Sequence, residues 1–521
     1  LDCHELYCAG HMIEAAVSYY QATGKDKLLG VMIRMVDHID SVFGTGVNQL
    51  RGYDGHQEIE LALIKLYKIT GVEKYLNLAA FFINERGNEP NFLHAEWESR
   101  GRIGLYNSLP ADRIDLSYCQ AHLPVRQQTK AVGHAVRAVY MYTAMADLAG
   151  LTGDEELLQA CRTLWNNIVQ KQMYVTGGIG STHHGEAFTF DYDLPNDTIY
   201  AETCASIGLI FYAQRMLSLE SKSEYADVME RALYNNVIGS MAQDGRHYFY
   251  VNPLEVWPEA CAHNPGRSHV KAERQAWFGC ACCPPNVVRL LMSLNQYVYT
   301  QRADTLYVNL YIGSEIKTKL GDTPVNITQD SDLIRTGKIR FDIHPEGQAH
   351  FTLGLRKPGW CSDMKITVNG TQVETSELLD GYVMIERTWK PGYVVEVELG
   401  VETHLVYADP QVRADAHKAV IQRGPLVYCV ESADNGELIT SLQLNQDAVF
   451  TERILEDLPN RVIAVETDGF RVATDDWDGS VLYRREPPRI EPVRITAIPY
   501  YLWGNRGSGE MTVWLPAMKE S

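Results

Sequence analysis

The hydrophobic period of this 521-residue chain changes once, near residue 303, and that change constrains the fold more than any other feature. From about residue 10 to 300 apolar residues recur at helical spacing, as in "HMIEAAVSYYQATGKDKLLGVMIRMVDHI", so this half buries stripes along helices. Beyond 303 the spacing becomes two, in "TLYVNLYIG", "KIRFDIH", "HFTLGLRKPGW", "MKITVNGTQV" and "YVVEVELG". Alternation bounded by Gly, Pro and Asn makes half-buried strands. A second β-rich block follows "PQVRADAHKAVIQRGPLVYCVES". The expected division is a helical domain over 1–302 and two antiparallel β-sandwich domains over 303–408 and 409–521.

Three stretches of the helical half share a plan: "GHMIEAAVSYYQATGKDKLL", "GHQEIELALIKLYKITGVEKYL" and "GHAVRAVYMYTAMADLAGLTGDEELL". Each has Gly-His, an Ala-rich helix, a Thr-Gly stop where glycine can take the left-handed cap, and a second amphipathic helix. These are αα-hairpins. Two further helices of the first kind follow, at "AETCASIGLIFYAQRM" and "CCPPNVVRLLMSLNQYVY", the latter with prolines suited to a first helical turn. The expected helix starts then carry His11, His56, His134, Glu202 with Cys204, and Cys282 with Cys283. Five polar starts suggest an (α/α) toroid with parallel inner helices, whose N-terminal ends converge on one mouth. A six-hairpin (α/α)6 barrel would need one more hairpin before Leu1.

Charge narrows the partners. Lys plus Arg total 47 against 66 for Asp plus Glu, a formal charge of −19, which repels phosphate backbones and anionic membranes alike. No apolar run is long enough to span a bilayer and no basic-then-apolar leader opens the chain, so a soluble, cytoplasmic protein is expected. Eleven cysteines, an odd number without a regular framework, argue for a reducing compartment rather than disulfide stapling.

Three of those cysteines crowd in "FGCACCPPN", residues 278–286. The adjacent Cys282 and Cys283 are poorly placed to bond each other, because the small ring strains the intervening peptide. They suit a metal better. Glu202 and Cys204 would point about 200° apart on a regular helix, but at a looped helix start both can face one ion. One carboxylate and three thiols, from Glu202, Cys204, Cys282 and Cys283, could then build a tetrahedral zinc site. Cys119, Cys161 and Cys361 read as packing residues. Cys280 is either a spare thiol near the site or a packing residue.

The stretches "TGGIGSTHHGEAFTFDYDLPNDTIYAETCASIGL", "ERALYNNVIGSM", "YFYVNPL", "GCACCPPNVVRLL" and "GPLVYC" resemble glycoside hydrolase family 127 and its relatives, the β-L-arabinofuranosidases, over nearly the whole chain. The resemblance implies a retaining glycosidase with a zinc-bound cysteine nucleophile on an (α/α)6 barrel, acting on a terminal sugar of a plant-type oligosaccharide. By residue matching it makes Cys282 the nucleophile and Glu186 of "GEAF" the general acid/base, with Glu202, Cys204 and Cys283 completing the zinc ligands. His11, His56, His134, Glu230 and Tyr250 match positions that touch the sugar. The physical case runs alongside. A retaining glycosidase normally sets two carboxyl groups about 5 to 5.5 Å apart, and here sulfur would replace one. A free thiol is only about 3% ionised at pH 7, whereas a zinc-bound thiolate is deprotonated outright. Asp191, Asp193 and Asp197 rival Glu186 on residue type alone, and only the motif match raises Glu186 above them. Two other classes fit parts of the pattern: a glycan-binding protein with a structural zinc, and a sugar epimerase or lyase on a similar toroid. Neither has an evident use for paired cysteines beside Glu186. A homodimer through the β-sandwich domains is a further expectation.

Overall fold

The computed structural model describes residues 4–103, 114–455, 462–475, 477 and 479–519. The chain divides into two compact units: Leu1–Met173, Ile179–Asp193 and Gly208–Leu219 form one, and Tyr174–Gly178, Leu194–Ile207 and Glu220–Ser521 the other.

The first unit holds the hairpins. Helices α1 (Glu5–Thr23) and α2 (Lys27–Val42), α3 (Ile59–Thr70) and α4 (Glu73–Glu85), then α5 (Phe92–Ser99), α6 (Ala135–Thr152) and α7 (Glu155–Lys171) follow in order. The three Thr-Gly stops behave as the sequence predicts. Gly24, Gly71 and Gly153 are left-handed caps at φ 69, 67 and 70°, each returning its N–H to a carbonyl of the last turn. The first helix of the later hairpins is the buried one. α6 is buried continuously from Ala135 to Ala149, whereas α7 buries a single face. One expected start is corrected: α1 begins at Glu5, so His11 lies in its second turn instead of at its end.

The second unit takes the first residues of α8 (Thr203–Glu220), up to Ile207, while Gly208–Leu219 of that helix belong to the first unit; it also holds α9 (Ser223–Arg231), α10 (Pro258–His263), α11 (Cys283–Met292) and the strands. After α9 the chain widens into a π-helical stretch, Ala232–Val237. The motif "ALYNNV" acts as a fastener there. Asn235 donates to Pro425 O at 3.1 Å and accepts from Val427 N at 2.8 Å, while Asn236 donates to Ser206 Oγ at the start of α8 at 2.8 Å.

Residues 299–399 form two sheets. The six-stranded one runs Ser314–Leu320, Thr323–Asp332, Lys338–Pro345, Tyr393–Leu399, Met364–Val368, Thr371–Val373, and the four-stranded one Tyr382–Trp389, Ala349–Arg356, Thr305–Val308, Tyr299–Arg302. Period-two alternation places Ile339, Phe341 and Ile343 of one sheet in a common core with Phe351, Leu353 and Leu355 of the other. Strands 403–518 belong to a ten-stranded sheet. Lys418–Arg423 pairs with both Leu515–Met518 and Leu426–Glu431, which closes six strands into a ring of backbone pairing. Two expectations change here. Thr305–Val308 with Ala349–Arg356, and Leu442–Asn445 with Leu515–Met518, pair in parallel, so the β half is not purely antiparallel. Glu255–Val256, inside the predicted helical domain, adds a strand to the last sheet through Met511–Thr512.

Candidate active site

Each unit carries a constellation of polar side chains that the sequence singled out. In the second unit the extended segment Tyr248–Asn252 sets the start of α8. Thr203 donates its N–H to Tyr250 O at 3.0 Å and its hydroxyl to Phe249 O at 2.9 Å, Glu202 bridges Val251, and Asn252 donates to Ala201 O at 2.9 Å. Glu202 is therefore still in extended chain when Cys204, two residues on, is helical. That break in conformation removes the opposed directions a continuous helix would impose. The same segment reaches the thiol loop through a bridge between Tyr248 and Gln275 and through Phe278, whose ring lies 5.0 Å from Tyr248. Cys282 caps α11, whose first turn holds Pro284 and Pro285, residues without an N–H to leave unsatisfied.

The result is a cluster in which one ligand atom each from Glu202, Cys204, Cys282 and Cys283 lies within 4.8 Å of every other. Sγ of Cys283 is 3.8 Å from both Cys204 and Cys282, and Cys282 Sγ is 3.5 Å from Glu202 Oε1 and 3.2 Å from the Tyr250 hydroxyl. Those sulfur separations far exceed the roughly 2.05 Å of a disulfide. Glu202, Cys204 and Cys283 are buried and Cys282 half-buried. Crowding resists ionisation. Hydrogen bonds to Cys204 and Cys280 push the Cys282 thiol up, and burial does the same to Cys283. At Cys204 the hydrogen bond with Cys282 acts in the opposite sense and is outweighed by Cys283 and burial. Thiols so placed become thiolates when a cation compensates their charge, and a buried carboxylate plus three thiols is a donor set that could hold a metal ion. Cys280 is exposed, with its thiol in hydrogen-bond contact with Cys282.

Glu230, on α9, lies outside this cluster of donor atoms. It is fully buried, with one oxygen 2.5 Å from the Arg356 guanidinium and the other accepting from Trp360 Nε1 at 2.7 Å. Asp227, Glu230, Arg231, Trp360 and Gln422 line a cavity of about 200 Å³. A surface position, the reading its residue type alone would give, is excluded by that burial.

In the first unit the three histidines meet. The rings of His56 and His134 are 5.3 Å apart, and Tyr7 lies 4.4 Å from His11 and 4.3 Å from His56. His11 Nδ1 is 3.4 Å from Glu58 Oε1. Glu186 Oε2 is 2.9 Å from His134 Nε2. The loop carrying Glu186 is laced to the start of α6: Ala135 N–H donates to Glu186 O at 3.0 Å and Phe188 N–H to Gly133 O at 2.9 Å. Glu186 sits at φ 55° directly after Gly185 at φ 72°, a left-handed conformation that a glutamate adopts only under constraint. Its rivals are tied elsewhere. Asp191 accepts from Asn167 and faces Lys130 and Lys171, Asp193 accepts from Thr189, and Asp197 pairs with Arg267. Sequence reasoning passed over His4, Tyr7 and Tyr118, whose rings join the cluster. The i, i+3, i+7 spacing of His4, Tyr7 and His11 in "HELYCAGH" was a readable signal for two of them.

Comparison with known proteins agrees along the whole chain. The family model described as Beta-L-arabinofuranosidase, GH127 catalytic domain matches residues 2–296, the GH127 middle domain 305–401, and the glycoside hydrolase family 127 C-terminal domain 403–516. A non-reducing end beta-L-arabinofuranosidase of Bifidobacterium longum subsp. longum is 40% identical, with 98% of this chain and 78% of that protein covered. The crystal structure of a GH127 beta-L-arabinofuranosidase from Geobacillus stearothermophilus T6 superposes with a TM-score of 0.95 at 50% identity, covering 99% of this chain and 81% of that one. A second solved GH127 beta-arabinofuranosidase gives 0.86 at 39%, covering 99% and 77%. A helical catalytic segment followed by β-rich domains, with this site, makes the protein a glycoside hydrolase, an enzyme acting on a sugar or oligosaccharide. It belongs to glycoside hydrolase family 127. Among the described residues no helix is long and apolar enough to cross a membrane.

Proposed function

We propose that this enzyme is a retaining exo-glycosidase releasing terminal β-L-arabinofuranose, with Cys282 as nucleophile and Glu186 as general acid/base. The observation that carries the reading is the thiol–carboxylate cluster. In a tetrahedron with Zn–S bonds near 2.3 Å and a Zn–O bond near 2.0 to 2.1 Å, sulfur–sulfur edges are about 3.8 Å and sulfur–oxygen edges about 3.5 Å. The corresponding separations here are 3.8, 3.8 and 3.5 Å. Glu202, Cys204, Cys282 and Cys283 would hold zinc, which when bound supplies the positive charge that ionises the thiols at neutral pH.

Glu186 protonates the departing glycosidic oxygen as Cys282 sulfur forms its bond to the anomeric carbon, giving a glycosyl-cysteine. Glu186, now a carboxylate, takes a proton from water, whose oxygen then displaces the sulfur. Two inversions give retention. Tyr250, whose hydroxyl is 3.2 Å from Cys282 Sγ, steadies the attacking atom, and His11 and His56 bond sugar hydroxyls. Glu230 shapes its surroundings through Arg356 and Trp360. We also read the hairpins as turns of an (α/α)6 toroid followed by two β-sandwich domains; the family segments 305–401 and 403–516, with Thr403–Val406 pairing in the last sheet, favour a boundary near 402 over the expected 408. Following by NMR the anomer first released from an aryl β-L-arabinofuranoside tests the function. The β-anomer is expected, and first release of the α-anomer would rule out a glycosyl-cysteine.

A further inference from the structure

The two buried histidines of the first unit are fixed in opposite tautomers, and the consequence separates their roles. His134 caps α6: the backbone N–H of Arg137 points at its Nδ1, 3.4 Å away. A backbone N–H can only donate, so that nitrogen presents a lone pair and the ring proton sits on Nε2. Nε2 is the atom 2.9 Å from Glu186 Oε2. At His56 the pattern is reversed. Its Nδ1 lies 2.9 Å from Gln57 O, a carbonyl that can only accept, so Nδ1 carries the proton and Nε2 the lone pair.

We infer that His134 is a positioning residue for the acid/base, holding the Glu186 carboxyl through Nε2–H, while His56 is the histidine that accepts a hydrogen bond from substrate. The inference rests on the assignment of Glu186 as acid/base. The helix end supplies the reason for a histidine at this position: one nitrogen serves the first turn of α6, which fixes the ring, and the other, held by the same rigid ring, serves Glu186. The left-handed backbone at Glu186 and its bond from Ala135 N–H to Glu186 O, 3.0 Å long, bring the glutamate to the same helix end. Burial keeps the His134 ring neutral, pushing its protonation below the ordinary histidine range, in keeping with an Nδ1 that accepts.

Two substitutions separate the functions of the ring, because the amide group of Asn reaches the position of histidine Nδ1, where its oxygen can accept, and that of Gln reaches the position of Nε2, where its nitrogen can donate. His134→Asn keeps an acceptor for the Arg137 N–H and loses the reach to Glu186. His134→Gln keeps a donor toward Glu186 and loses the cap. The readout is kcat/KM across aryl and alkyl β-L-arabinofuranosides of graded leaving-group ability, which reports the step in which Glu186 donates its proton. His134→Asn should lose about tenfold or more on alkyl leaving groups and no more than about threefold on a dinitrophenyl leaving group. His134→Gln should recover most of that difference, and His56→Ala should lose activity equally across the series. Equal losses across the series for His134→Asn, with Glu186→Gln strongly leaving-group dependent, would overturn the positioning role and leave the acid/base standing. Loss independent of leaving group in Glu186→Gln would instead remove the acid/base assignment, and this inference with it. Should the Asn variant misfold, two-bond proton–nitrogen NMR of the histidine-labelled wild-type protein decides: His134 with its proton on Nε2 supports the inference, and a proton on Nδ1 refutes it.

Discussion

The sulfur atoms of Cys204 and Cys283 lie 3.8 Å apart although 79 residues separate them. Two helix starts are therefore held in register within the second unit, one by the extended segment 248–252 and the other by a double-proline first turn. The metal prediction rests on that register. Protein purified without chelator should contain close to one equivalent of zinc by mass-spectrometric metal analysis, and Cys283→Ser should carry much less and melt lower. A folded, metal-free wild-type protein with full activity would contradict the assignment.

Cys282 has a different part from Cys283 despite adjacency, since it is half-buried and touches Tyr250. Cys282→Ser should abolish turnover, by three orders of magnitude or more on the scale of removing a catalytic nucleophile, because a serine hydroxyl is far harder to ionise. Its far-ultraviolet circular dichroism should be unchanged.

The Glu230–Arg356 pair is buried on both sides. Removing Arg356 strands the Glu230 charge, which costs about 3–5 kcal/mol, whereas removing Glu230 leaves Arg356 its second carboxylate, Asp227. Arg356→Met should accordingly lower Tm more than Glu230→Met, with the double change losing less than Arg356→Met alone. Additive losses in this cycle would show that the pair does not act as a unit.

A pH effect follows from Asp54, buried and with its carboxyl pushed up to about 7 by burial, against the N–H of Tyr7 that it accepts. The ordinary value is 3.8. Between the two values the folded chain binds a proton the unfolded chain has lost, so this contribution is fully present below about pH 4 and disappears as pH rises through 7. Asp54→Asn should raise Tm relative to wild type at pH 8 and gain less at pH 5. An equal shift at both pH values would show that Asp54 titrates normally.

What was legible in the sequence was local. Gly24, Gly71 and Gly153 announced their helix ends because a left-handed cap favours glycine, and the alternation of "KIRFDIH" announced a strand and its buried face. The long-range features were not legible. Nothing near Glu255 signals a partner at Thr512, and the parallel pairings depend on chain crossings that alternation does not encode. At the site, residue types nominated Glu202 with the three cysteines, whereas Glu186 stood level with Asp191, Asp193 and Asp197 until the motif was matched. Only the folded chain shows those aspartates tied to Asn167, Thr189 and Arg267 while Glu186 faces His134. The burial of Glu230 was not legible for the same reason, since its partner Arg356 lies 126 residues away.

The central claim is that carbon–sulfur chemistry replaces carboxylate chemistry here. The most direct measurement is to inactivate the enzyme with an arabinofuranosyl electrophile, digest it with trypsin, and sequence by tandem mass spectrometry the peptides from Gln275 to Arg289 and from Gln172 to Arg215. This account predicts one sugar adduct per chain, on Cys282, with Cys280 and Cys283 unlabelled. An adduct on Glu202 would contradict it, making the carboxylate the nucleophile and the cysteines structural.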